Sequence, residues 1–316
     1  MRKKTLVLLH ENQHLTLMTG LDIASDAANF SQGPSARPRL AIVVPCYNEA
    51  ESIGLLADGL VRLREALAPQ YETQIVLVDD GSVDGTWQLL AHEFAHDADV
   101  LRLRHEQNQG IAAAIATGIR AARAEIVASL DADCTYDPLQ VCRLLERLTD
   151  GVDVVVASPY HPSGRVEGVP RWRLSLSRFA SRLYALVMRN QLHTYTSCVR
   201  VYRRSAVISL PQQQRGFVGI VELLWQLDRR GGRIAECPAV LTVRKTGHSK
   251  MKVVRTALVH LSFLARAVLC RAATAASPQS AIDTSRSNTG FGESSGLCLR
   301  TAGRPGGVTP TYETTT

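Results

Sequence analysis

The sequence predicts an α/β fold in which a mostly parallel sheet is covered by helices on both faces. Three observations carry this. From Leu40 onward, short apolar runs alternate with stretches of helical spacing. The runs LAIVVP (40–45), QIVLVDD (74–80) and VDVVVAS (152–158) are nearly continuous in apolar residues, as strands buried on both faces are. A hydrophobic content of 45% over 316 residues is ample for a core.

Taken in order, residues 1–37 show no sustained period and end in a loop composition, Ser31 to Pro38, so they read as a loosely ordered arm. Their basic start is followed only by Leu6–Leu9, too short an apolar core for an export signal. After the run at 40–45 come a helix over 51–67, the run at 74–80 and a helix from Thr86. A short strand near 98–104, a helix over 111–124 and a strand over 125–133 follow. A helix at about 138–149 and the run at 152–158 lead into an arginine-rich segment, and alternating elements return over 233–245. These elements form one domain, 38–250. Residues 251–276 read as an amphipathic helix, and 277–316, rich in Ser, Thr, Gly and Pro, as a disordered tail.

The net charge of +7 is local. Tyr160 to Arg215 contains ten arginines, no lysine and one acid, Glu167. Such a surface suits nucleic acid, acidic headgroups or a phosphorylated ligand, and composition does not choose among them. Arg171, Arg178, Arg182 and Arg189 recur at helical spacing, as a solvated basic face or a face toward anionic headgroups. Seven scattered cysteines without a Cys-x-x-Cys pair argue against a zinc cage and a disulfide framework, and point to a reducing compartment. In 251–276 the uninterrupted apolar stretch is too short to span a bilayer, which leaves an interfacial helix or one packed on the domain.

In an open parallel sheet, ligands sit at the carboxyl ends of the strands. Three such ends here are acidic or turn-forming: Pro45 to Glu49, Asp79 to Thr86, and Asp131-Ala-Asp133. Carboxylates flanking one small residue can hold Mg²⁺ or Mn²⁺ against a diphosphate; an isolated D-x-D is more often a solvated loop, and its position after a buried strand favours the metal reading. The run DDGSVDGT is either a ligand-facing turn or a turn leading into a helix capped by Asp84. No G-x-G-x-x-G follows the first strand and no G-x-x-x-x-G-K-[ST] occurs, which disfavours dinucleotide enzymes and P-loop nucleotidases. A nucleic-acid partner would leave the ordered strand-end acids without a role.

Read together, these pieces resemble a family 2 glycosyltransferase of the dolichyl-phosphate mannose synthase type over residues 40–250. The matching residues are VVPCYNEAESI (43–53), VDDGSVDGT (78–86), Arg104 with Asn108 and Gly110, SLDADCTYDP (129–138), Trp172-Arg173 with Ser177-Arg178, GFVGIVE (216–222), AECP (235–238) and RKTGHSK (244–250). The resemblance implies a GT-A fold, a Rossmann-like mostly parallel sheet. It implies that Pro45, Tyr47, Glu49, Val78, Asp80 and Asn108 contact the nucleoside and that Asp131 and Asp133 hold Mg²⁺ or Mn²⁺. Arg244, Ser249 and Lys250 then approach the phosphates, with Arg173, Arg178 and Arg200 on the acceptor side; Asp131, Asp133, Arg244 and Lys250 form the catalytic set.

The implied activity is inverting transfer of a hexose from a nucleotide sugar, GDP-mannose or a UDP-sugar, to a polyprenyl or dolichyl phosphate. The expected setting is peripheral, on the cytoplasmic face of a membrane, with any membrane partner subunit left open. Alternatives are a family 2 enzyme with a saccharide or other lipid acceptor, for which Glu222 is the candidate base, and an inactive nucleotide-sugar binding protein. The chain departs from the family at Pro159, where an arginine is usual, at Thr194 and Cys198 in place of an acid and a glycine, and at Thr135 in place of glutamine.

Overall fold

The computed structural model describes residues 37–214, 216–244 and 253–276, together with two short strands nearer the start. In chain order the elements are β1 (Leu6–Leu8), β2 (Thr16–Met18), β3 (Arg39–Cys46), α1 (Ile53–Leu67), β4 (Glu72–Asp79), α2 (Thr86–Glu93), β5 (Val100–His105), α3 (Ile111–Ala121) and β6 (Ile126–Ser129). They continue with α4 (Gln140–Glu146), β7 (Val154–Ser158), β8 (Arg165–Val166), α5 (Arg171–Ala185), β9 (Arg200–Arg203), α6 (Arg204–Val207), α7 (Phe217–Arg229), β10 (Ile234–Pro238), β11 (Val240–Leu241) and α8 (Val253–Ala276). Residues 245–252 and 277–316 lie outside the described residues, and so do the side chains of Arg173, Ser249 and Lys250.

The main sheet runs β10-β7-β9-β6-β3-β4-β5-β1-β2. Its pairs β10–β7, β6–β3, β3–β4 and β4–β5 are parallel, as the apolar runs predict, whereas β9 is antiparallel to both β6 and β7. The short strands β1 and β2 extend the edge at β5 antiparallel, in a segment where the sequence shows no period.

Alternation along the strands divides the core into two layers. Ala41, Val43, Val76 and Val78 face α3, α7 and α8, burying Ile115, Val221, Leu224 and Phe263. Leu40, Ile42, Ile75 and Leu77 face α1, α2 and α4, burying Leu56, Leu60, Leu90 and Leu144. Helix α3 seats closely because Gly118 has no side chain: a Cβ there would lie 2.2 Å from a Val43 methyl. Parallel register then aligns the carboxyl ends, with Cys46 opposite Asp79 and Val43 opposite Ser129. The strand predicted over 125–133 stops at Ser129, so Asp131 and Asp133 stand in the turn beyond it.

Candidate active site

Three of the strand-end segments are tied into one rim. Asn48 and Glu49, after β3, donate backbone N–H groups to Ser82 Oγ at 2.8 Å and Thr86 Oγ1 at 2.7 Å, and Asn48 Oδ1 accepts from Val83 N at 2.8 Å. Gly81 brings the turn after β4 against the segment after β5. It has φ +72°, and a Cβ would lie 2.5 Å from the Gln107 carbonyl carbon, so only glycine fits. Asp79, wholly buried, meets Arg104 Nε at 3.0 Å, and that guanidinium lies over the Trp87 ring at 5.4 Å. Burial pushes the Asp79 carboxyl up from its ordinary range.

Glu49, Asp131, Asp133 and Arg244 come together at this rim. Arg244 Nε donates to Asp133 Oδ2 at 3.2 Å, and its Nη2 to Glu49 Oε1. The other Asp133 oxygen accepts from Thr135 N at 3.1 Å and Thr135 Oγ1 at 2.9 Å. Thr242 holds the Arg244 segment beside this turn, donating N and Oγ1 to Thr135 O at 2.9 and 3.0 Å. Burial, with Asp133 and Glu49 close by, pushes Asp131 up to about 7, against hydrogen bonding from Cys198 and the charge of Arg244.

The donor set is hard oxygen, as Mg²⁺ or Mn²⁺ requires, and its crowded negative charge calls for a cation. Among the described residues no three His, Cys, Asp or Glu side chains converge in a metal-ligating arrangement. The paired carboxylates at Asp131 and Asp133 fit a cation held by one or two carboxylates and completed by substrate phosphates.

Residues 41–210 match the family model described as Glycosyl transferase family 2. The chain belongs to this family. The glycosyltransferase is 31% identical over 221 residues to "Polyprenol monophosphomannose synthase" of Mycolicibacterium smegmatis, covering 67% of this chain and 81% of that one. It is 30% identical to "Undecaprenyl-phosphate mannosyltransferase" of Micrococcus luteus (71% and 93% covered), and 27% to "Dolichol-phosphate mannosyltransferase" of Pyrococcus furiosus (68% and 59%). A glucosyl-3-phosphoglycerate synthase from Mycobacterium tuberculosis, solved with Mn²⁺ and UDP, superposes with a TM-score of 0.54 at 20% identity, covering 72% and 80% of the two chains. That likeness bears on the fold, an α/β GT-A arrangement.

Within the glycosyltransferase, other predicted site residues are placed differently. Asp80 is 2% exposed. Its oxygens accept from Gln109 N at 2.9 Å and Gly110 N at 2.7 Å, and Oδ1 lies 2.7 Å from His105 Nδ1, so it secures the N-terminus of α3. Pro45 and Val78 are buried in paired strands, Tyr47 is half-buried and Asn108 is exposed.

The acceptor role expected of Arg200 needs correcting: the side chain is wholly buried, donating to Ile220 O at 2.7 Å and Tyr195 O at 2.8 Å. Arg203 and Arg204 likewise grip backbone carbonyls, at Val152 and Ile119. The exposed arginines include Arg171, Arg178 and Arg182 on α5, and Arg178 stacks over the Tyr160 ring at 5.1 Å. Helix α5 ends at Ala185, so Arg189 lies beyond it and the four-arginine stripe is shorter than its spacing suggests.

One family departure lies next to the strand end that carries another: Thr194 Oγ1 is 2.9 Å from Ser158 Oγ, the residue before Pro159. Cys198 and Thr135, noted as departures, are site neighbours of Asp131 and Asp133, and His105 beside Asp80 is one that motif reading passed over.

Proposed function

We propose that this glycosyltransferase moves a hexose, with inversion, from a nucleotide sugar to a polyprenyl phosphate at a membrane surface. The observation that carries it is the meeting of Glu49, Asp133 and Arg244, drawn from three separated motifs, at the carboxyl edge of the sheet. In this reading Glu49 and the turn after β4 receive the nucleoside, and Asp131 and Asp133 hold a divalent cation. The relatives named above for polyprenol, undecaprenyl-phosphate and dolichol-phosphate mannosyl transfer support the acceptor class and favour mannose as the sugar.

A phosphate acceptor needs little proton chemistry, because its second ionisation lies near pH 6. Its oxygen attacks the anomeric carbon as the bond to the diphosphate breaks, and the electron pair leaves with the nucleoside diphosphate. Bound Mg²⁺ or Mn²⁺ supplies Lewis-acid stabilisation of that departing charge. Arg244 adds a planar fork suited to phosphate oxygens. A hydroxyl acceptor would need a base, and Glu222, the candidate, is 4% exposed and accepts from Gln213 N at 3.0 Å and Gln214 N at 2.7 Å. That carboxylate holds a loop, which favours the phosphate acceptor.

The membrane setting rests on α5 and α8. Exposed Trp172 and Phe179 (55% and 56%) stand among the exposed arginines of α5. Helix α8 packs Phe263 and Leu264 inward while Leu258, Leu261 and Leu269 face out. Among the described residues no helix is long and apolar enough to cross a membrane. We place the enzyme peripherally, on the cytoplasmic face.

The test is incubation with labelled GDP- and UDP-sugars and Mg²⁺ or Mn²⁺, with and without polyprenyl phosphate, followed by organic extraction. Label should enter the organic phase only when lipid phosphate is present. Label appearing on a saccharide instead would overturn the acceptor assignment.

A further inference from the structure

Arg244 occupies the acidic edge in the manner of a metal cation. Its Nε and Nη2 are directed at Asp133 Oδ2 and Glu49 Oε1, and all three side chains are largely covered, at 15%, 23% and 13% exposure. Those donors form the Nε/Nη2 edge, one of the two edges a guanidinium can turn as a fork toward a phosphate. Arg244 therefore cannot hold both carboxylates and present that fork to a diphosphate at once. The backbone leading to it is anchored, since β11 pairs with β8 and Thr242 is bonded to Thr135. An exchange of partners then requires rotation of one side chain rather than movement of the segment.

We propose that Arg244 is a place-holder: it neutralises Asp133 and Glu49 before the donor arrives and must be displaced before a divalent cation can use Asp133. Released from the carboxylates, the guanidinium turns to the donor diphosphate. This rests on the reading of the edge as the donor site and adds an order to it. A cation alone competes with Arg244 and binds weakly, whereas a cation with a nucleoside diphosphate offers Arg244 a new partner and binds well.

The test is Mn²⁺ affinity, read from the electron paramagnetic resonance of free Mn²⁺, with and without GDP or UDP, for wild type, Arg244→Gln and Arg244→Lys. Thermal melts report that the variants fold. Without nucleotide, Arg244→Gln should bind Mn²⁺ more tightly by about tenfold, within the usual range of coupling between sites. With nucleotide it should bind the Mn²⁺–nucleotide pair more weakly than wild type. Arg244→Lys, which keeps the charge but loses the planar two-donor edge, should gain affinity for Mn²⁺ alone by less than Arg244→Gln does.

Unchanged or weakened binding of Mn²⁺ alone in both variants would overturn the place-holder role, because an arginine that merely orders the carboxylates would lose affinity when removed. If wild type binds neither nucleotide while Arg244→Gln still gains Mn²⁺ affinity, the donor reading falls and the place-holder stands.

Discussion

Asp80→Asn separates a ligand-facing carboxylate from one that secures the fold. Asp80 is buried and accepts backbone N–H groups from Gln109 at 2.9 Å and Gly110 at 2.7 Å, with His105 Nδ1 at 2.7 Å. Hydrogen bonds to a charged group contribute about 1.5–3 kcal/mol each. Asparagine keeps one accepting oxygen and turns an NH₂ group toward a donor, so one bond is lost and one N–H is left facing another. The expected loss is about 3 kcal/mol, at the lower end of breaking a buried charged network. For a domain of this size that corresponds to a melting point lower by about 6–12 °C.

The assay is urea unfolding with a thermal melt, scored on the midpoint at unchanged slope, beside nucleotide affinity measured well below the melting point. A loss of stability under about 1 kcal/mol together with abolished nucleotide binding would refute the internal role and return Asp80 to the ligand.

Other perturbations follow from single contacts. Gly118→Ala should destabilise by about 1–3 kcal/mol in urea unfolding, because its Cβ would overlap a Val43 methyl in a packed layer. His260 joins α8 to α5, its Nδ1 lying 2.6 Å from Tyr184 Oη, and burial lowers its pKa below the ordinary value. Detached, it takes up a proton near pH 6.5. The docking of α8 is therefore fully stable above that pH and weakens as pH falls below it, and amide protection factors in α8, corrected for the intrinsic exchange rate, should fall toward pH 5 in wild type but change little in His260→Gln. Replacing Arg171 and Arg182 together by glutamine should reduce flotation with anionic liposomes while leaving the melt unchanged, since these side chains are exposed on α5. Cys198→Gly should preserve folding, as judged by its melt, and shift Mn²⁺ binding to higher pH, because the Cys198 thiol lowers the Asp131 carboxyl pKa.

The parallel core was legible because β3, β4 and β7 are buried on both faces and therefore read as continuous apolar runs. Strand β9, Arg-Val-Tyr-Arg, carries no such run, and its antiparallel pairing was hidden. The acidic pair was legible from its place after β6, and the approach of Arg244 from the closing motif. Asp80 was not, because a strand-end carboxylate looks the same in sequence whether it faces a ligand or the start of a neighbouring helix. Charge counting also overstated the basic surface, since Arg200, Arg203 and Arg204 spend their donors on backbone carbonyls that no composition records. The departures at Thr194 and Cys198 read as losses in one dimension. In space the first pairs with Ser158, and the second lies by Asp131 and lowers its carboxyl pKa.

The central claim is that the Asp131–Asp133 turn binds a nucleoside diphosphate through a divalent cation. Its most direct test is the affinity of wild type and Asp133→Asn for GDP and UDP, with and without Mn²⁺, by titration calorimetry. Wild type should bind one of them in a cation-dependent manner, and Asp133→Asn should lose at least about tenfold of that affinity, about 1.4 kcal/mol. Binding that ignores Mn²⁺, or an Asp133→Asn protein that binds as wild type does, would contradict the account.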